Sequence, residues 1–187
     1  MASLLVKTIK WTLLILLGLG VALALLIWSI TFHPPALQAE PVVNQPGSPT
    51  LESGQEVKVL SWNLQYMSGK NYEFWYDHID GNGPDIRASK EDISTTFNQV
   101  AELIIAQNPD VILLQELHDN AKRTDYEDQL QRLLTLLPAE YSNYSESFYW
   151  QADFVPLPQI MGSVGMKLAI ISKYTKVFLA LDFGIIL

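Results

Sequence analysis

Apolar and polar residues alternate along this chain with three different periods, and each period marks a different kind of element. The first is no alternation at all. Trp11 to Ile30 is an uncharged run of 20 residues rich in Leu, Ile, Val and Ala. At the 1.5 Å rise of a helix such a run matches the hydrocarbon thickness of a bilayer, so residues 11–31 are expected to form a transmembrane helix after a cytoplasmic N-terminus, 1–10. Lys7 and Lys10 precede the run and the first charge after it is Glu40. That bias puts the remainder of the chain on the outer, periplasmic or extracellular, side. A cleavable signal peptide is the competing reading, but its apolar region is normally shorter, and Leu37 stands where a small residue is preferred near a cleavage site before Glu40. Residues 32–55 are rich in Pro, Gln, Ser and Gly without a period and read as a linker.

From residue 56 onward the pattern is that of a folded domain. Val57 to Trp62 alternates like a first strand and runs into Asn63. Ile93, Phe97, Val100 and Ile104 recur at steps of three and four, predicting an amphipathic helix over 89–107 with Ser89 as its N-cap and Asn108-Pro109 as its stop. Val111 to Gln115 is a short, mostly apolar run, the pattern of a strand buried on both faces, and it ends on Glu116. Strand, helix, strand is the βαβ order, which predicts two adjacent parallel strands bridged by the helix. A second helix is expected over Tyr126 to Leu137, with strands at Tyr144 to Phe154 and Leu168 to Ile171. The last residues, Lys176 to Leu187, read like core sequence.

Parallel neighbours bring their C-terminal ends to one edge of a sheet, where α/β folds gather functional groups. Asn63 and Glu116 are therefore the candidate site residues. Taken singly, each has a plainer reading: an Asn at a strand end bonds its own backbone in a turn, and a Glu there caps backbone or pairs with a Lys. Lys122 and Arg123, in the polar loop His118 to Thr124, lie on the rim of the same cleft, where they could meet an anionic substrate or stand as solvated charges. The acidic turn Asp80 to Asp85 lacks the ligand order of an EF-hand and reads as a turn.

Composition narrows the chemistry. The absence of cysteine excludes disulfides, thiolate metal sites and cysteine nucleophiles. The net charge of −8, with Glu40 and two lysines lying before residue 41, leaves an acidic domain unsuited to a broad footprint on duplex nucleic acid.

Three segments, SWNLQ at Ser61 to Gln65, PDVILLQE at Pro109 to Glu116 and GMKLAIISKY at Gly165 to Tyr174, together resemble the endonuclease/exonuclease/phosphatase family over roughly Glu56 to Tyr174. The loop AKRTDYEDQ, Ala121 to Gln129, and the apolar N-terminus are most similar to its bacterial, sphingomyelinase-like members. The resemblance implies a four-layer α/β/β/α sandwich that hydrolyses phosphoesters with Mg²⁺, Mn²⁺ being the alternative. By it Glu116 is a metal ligand and Asn63 helps position metal and phosphate. The family's general base, a His paired with an Asp, and its Asp-x-Asn element belong to a second half with no counterpart here; His33, His78 and His118 stand in other contexts. The expectation is thus α/β, the N-terminal half of that sandwich: a truncated, membrane-anchored phosphodiesterase for a small or lipid phosphoester. The alternative is a non-catalytic anchored fragment, unfolded or completed by another chain. Substrate, protein partners and oligomeric state are not legible.

Overall fold

A computed structural model describes residues 2–175, without the side chains of residues 2–4 and Trp75. The chain divides into two units, Met1–His33 and Pro34–Leu187. The first is a single helix, α1 (Ala2–Ile30), whose stretch Leu5–Ile30 is long and apolar enough to cross a membrane.

The second unit is a mixed α/β layer pair. Among the described residues its strands are β1 (Val42–Val43), β2 (Val59–Asn63), β3 (Val111–His118), β4 (Asn143–Val155) and β5 (Gly162–Ser172), in the spatial order β1-β4-β5-β3-β2. Helices α2 (Lys90–Gln107) and α3 (Gln129–Leu136) follow β2 and β3 in sequence. β2 and β3 are parallel, Val59 opposite Val111 through Asn63 opposite Gln115, and α2 is the crossover between them, as the βαβ pattern predicts. The remaining pairs are antiparallel.

Local chemistry sets these boundaries. The Ser89 hydroxyl accepts the Asp92 N–H at the start of α2, and Asn108 ends the helix in the left-handed region at φ 47°. α3 begins only at Gln129, three residues later than the apolar period suggests. Asp125 and Tyr126 adopt φ of 56° and 63°, which no helix tolerates, and the Asp128 carboxylate then caps the Leu130 and Gln131 N–H groups. The stretch expected to be a linker is not free of the sheet. Val42 and Val43 form the edge strand on β4, and the Gln45 N–H donates to buried Asn143 Oδ1. Two β-branched residues amid prolines suffice for a two-residue edge strand. The core-like tail, 176–187, lies outside the described residues.

The core sits between helices and sheet. Ile93, Phe97, Val100 and Ile104 of α2, with Leu130 and Leu133 of α3, pack on Ile112, Leu114 and Leu117 of β3 and on Ala169 and Ile171 of β5. On the opposite face Leu113, Leu168 and Ile170 are only half-buried, beside Gln115, Ser145 and Ser147. One helix layer and one sheet layer are half of the expected α/β/β/α sandwich.

Among the described residues one charge is fully inside. Lys167 is 1% exposed, and its Nζ meets Asp119 at 2.7 Å, Glu146 at 2.9 Å and Asp128 at 3.1 Å. Burial pulls the ammonium pKa down, but the bonds to Asp119 and Glu146 and the Asp128 charge outweigh it and hold the pKa above the ordinary value. This cation ties the loop after β3, the start of α3 and strand β4 to the middle of β5.

Candidate functional site

β3 does not end at Gln115, as its apolar run suggests, but continues to His118 through a bulge. Leu114 pairs with Ala169 and Leu117 with Lys167, so that Gln115 and Glu116 together stand opposite the single residue Leu168. Glu116 takes the left-handed conformation, φ 58°. Its geometric consequence follows from the two-residue period of a strand. Ile112 and Leu114 face the helices, and unbroken alternation would send Glu116 into the same core. The extra residue gives that place to Leu117, which is fully buried, and leaves Glu116 half-exposed.

Asn63 closes the neighbouring strand directly opposite Gln115, and the ladder continues one step as the Leu64 N–H donates to the Gln115 carbonyl. Asn63 is exposed and its Oδ1 accepts the Gln65 N–H at 2.9 Å. This is the backbone-bonding turn that a strand-end Asn favours. It starts a tight reversal in which Gln65, Tyr66 and Met67 all have positive φ. Oδ1 keeps a second lone pair, so Asn63 can offer a ligand that oxygen as well as the Nδ2 donor.

A buried amide locks the two strand ends together. Gln129, fully buried at the start of α3, accepts the His118 N–H through Oε1 and donates through Nε2 to the Tyr66 carbonyl, both at 2.9 Å. The Tyr66 ring stacks on His118 at 4.4 Å with 6° between the planes. Further rings, Tyr72, Phe74 and Tyr76, continue from Tyr66 along the loop after β2.

Among the described residues the Glu116 side chain makes no ion pair and no hydrogen bond to protein. Its charge is felt by two tyrosines. Burial raises the phenol of Tyr149 to about 12, with a contribution from Glu116, and raises that of Tyr76, with contributions from Asp77 and then Glu116. Tyr149 and Tyr76 thus feel the charge of the candidate ligand, which sequence reasoning did not foresee. Tyr149 lies inside an aromatic strand pattern, and nothing in that pattern says which ring lies in the field of the carboxylate.

Lys122 and Arg123 occupy the rim loop but are both spoken for. The Lys122 Nζ donates to the Met161 carbonyl at 2.7 Å, and its alkyl chain lies so close to Gly162 that no Cβ would fit there. Arg123 pairs with largely buried Asp85 and its guanidinium lies 5.5 Å from the Tyr72 ring centre. The acidic turn therefore carries one half of an internal ion pair.

No group of three or more His, Cys, Asp or Glu side chains able to hold a metal ion occurs among the described residues. The donor set at this edge is one unpaired carboxylate and one amide. It fits Mg²⁺, a hard cation that retains several waters and takes one or two protein carboxylates, better than a cation needing a full protein cage.

Two outcomes follow from this geometry. A glycine relieves a left-handed position while an alanine does not, and both lack the carboxylate. Glu116→Gly is therefore expected to exceed Glu116→Ala in unfolding free energy by about 1 kcal/mol, measured by denaturant titration. His118, 3% exposed, is held neutral by burial and by the Arg123 charge, its pKa lowered to about 3. The unfolded chain takes up this proton near the ordinary value of about 6.5 and therefore binds more protons than the folded state below it. Stability should fall on acidification from about pH 6.5 to 5, by at most about 1.4 kcal/mol per pH unit, and His118→Gln is expected to lack that slope in the same titration series.

Against known proteins, residues 60–186 match the model of the endonuclease/exonuclease/phosphatase family. No curated protein sequence matches the chain. Among solved structures, an endonuclease/exonuclease/phosphatase from Beutenbergia cavernae DSM 12333 is similar at 22% identity and a TM-score of 0.39, over 63% of this chain and 26% of that one. The chain thus spans about a quarter of the length of that protein. With the family model covering more than half of its residues, the chain belongs to the endonuclease/exonuclease/phosphatase family.

Proposed function

We propose that this chain carries the metal-binding half of a phosphoester hydrolase dependent on Mg²⁺, or on Mn²⁺ in its place. The observation that supports it best is a half-exposed carboxylate, Glu116, set out of the core by a bulge, unpaired, and next to the exposed amide of Asn63 on a parallel strand. Glu116 would supply the anionic ligand. A divalent ion bound there offsets negative charge on phosphoryl oxygens. The chain's own groups orient the substrate: Asn63 Nδ2 donates to a phosphate oxygen or to an ordered water, and Tyr149 and Tyr76 lie within the field of the Glu116 charge.

Water activation needs a base that titrates near neutrality. His118 does not serve, being buried and neutral, and His78 pairs with Glu73 in the loop after β2. We infer that the base comes from outside the described residues. That favours the second reading, in which this chain is inert until another segment or chain completes the site. The acidic domain favours a small or lipid phosphoester over duplex nucleic acid, with α1 as a membrane anchor, N-terminus inside and the domain on the outer face.

The metal half of this reading is testable without turnover. Full-length chain in detergent is titrated with Mn²⁺ and the free ion is read by electron paramagnetic resonance. Glu116→Gln is expected to weaken binding by roughly tenfold or more, since even partners one bond removed from a metal cost that much. Equal binding by wild type and Glu116→Gln would remove Glu116 from the metal site.

A further inference from the structure

β4 and β5 continue well past the rest of the sheet. The last residue of β3, His118, pairs with Met166, and beyond that point the hairpin runs on through Ala152 opposite Val164 to Val155 opposite Gly162. Its outer part has an unusual surface. Tyr149, Trp150, Phe154, Leu157 and Met161 are exposed, at 38%, 39%, 45%, 55% and 48% of their areas. Asp153 is the single charge between Ser147 and Met166. Scattered apolar side chains on a surface need no explanation, but five large ones between Tyr149 and Met161 of one hairpin are a concentration that points to an interaction site. The arm is braced from one side. Lys122 donates to the Met161 carbonyl, Ser163 Oγ to the Asn120 carbonyl and the Asp119 N–H to the Gly165 carbonyl.

The composition and the chain path indicate what the patch meets. Trp and Tyr with an apolar body and a polar edge, mixed with Phe, Leu and Met and nearly devoid of charge, suit the headgroup boundary of a bilayer. β1 runs antiparallel to β4, Val42 opposite Ser145 and Val43 opposite Tyr144, so the chain before it heads along β4 toward the hairpin tip. The Ser147 hydroxyl donates to the Glu40 carboxylate, which fixes this direction at residue 40. From Ser147 to Val155 is about 26 Å along the strand. The nine residues Thr31 to Ala39, between α1 and Glu40, reach at most about 30 Å. The tether is thus long enough to span the length of the arm.

We propose that the tip of the β4–β5 hairpin, Tyr149 to Met161, inserts into the interfacial layer of a lipid bilayer as a second membrane contact beside α1. This rests on the anchor proposed above and is independent of hydrolysis. His118, two residues from Glu116, and Trp150 both pair with Met166, so insertion holds the candidate site close to the lipid surface.

The chain has no cysteine, so a single introduced thiol labels one position. Leu157→Cys and, as control, Glu102→Cys on exposed α2 are labelled with a polarity-sensitive fluorophore in the full-length chain and reconstituted into phosphatidylcholine vesicles. Flotation with the vesicles reads the anchor; quenching by brominated lipid reads the hairpin. The label at 157 is expected to shift to the blue and lose most of its emission to brominated lipid, while the label at 102 responds only to aqueous iodide. Trp150→Asp combined with Phe154→Asp, both exposed and outside the core, should return the 157 label to the behaviour of the control. The proposal is overturned if the chain floats but the 157 label is quenched by iodide and not by lipid, or if its emission follows chain concentration instead, which marks contact between copies. A chain that fails to float overturns hairpin and anchor together.

Discussion

One extra residue in β3 governs the candidate site. A strand that packs its even-numbered residues against α2 and α3 cannot also present Glu116 to solvent unless its alternation is interrupted. The interruption is the left-handed residue Glu116 itself, φ 58°, opposite Leu168. For a residue with a side chain that conformation costs of order 1 kcal/mol or more, and it persists because both flanks are fixed. Leu114 and Leu117 are buried in the helix-side core on either side of it. The hydrophobic effect on two leucines thus holds a carboxylate outside the apolar interior, where its ionised form would be costly.

The second strand end is fixed by different means. Asn63 has no core to lean on; its position follows from the parallel register with β3 and from the turn that its own Oδ1 caps. Gln129, itself fully buried, then joins this turn to the end of β3 by satisfying one backbone donor and one backbone acceptor. Loss of that amide would strand the buried His118 N–H without a partner, the expensive failure of a buried polar contact. Lys167 has the corresponding role on the adjacent strand, where a fully buried cation draws three carboxylates from three elements to β5. Between them these two residues make the loops around the site extensions of the sheet.

The elements that sequence makes legible are those with a strong period and an unambiguous stop. The helix over 89–107, its Ser89 cap, and the parallel pairing of the strands before and after it all follow from spacing, and the structure has them. What spacing could not give is the bulge, because an apolar run ending at a carboxylate looks the same whether the strand stops or steps aside. Nor could it give the late start of α3, which turns on the conformations of Asp125 and Tyr126, or the edge strand Val42–Val43, too short to carry a period. At the site, Asn63 and Glu116 come to one edge as the βαβ order requires. Lys122 and Arg123 find partners inside the protein, at Met161 and Asp85, that lie 39 and 38 residues away and leave no local trace. The influence of the Glu116 charge on Tyr149 is equally non-local.

The central claim is that an amide and a carboxylate on adjacent parallel strands address a single divalent ion. Paramagnetic broadening by substoichiometric Mn²⁺ in nuclear magnetic resonance spectra of the full-length chain tests it most directly. The account predicts that the amide signals of Asn63, Leu64, Glu116 and Leu117, together with the Asn63 side-chain NH₂, broaden first, ahead of those of Asp128 and Glu146. Broadening centred on Asp119, Asp128 and Glu146, with Asn63 and Glu116 unaffected, would contradict it.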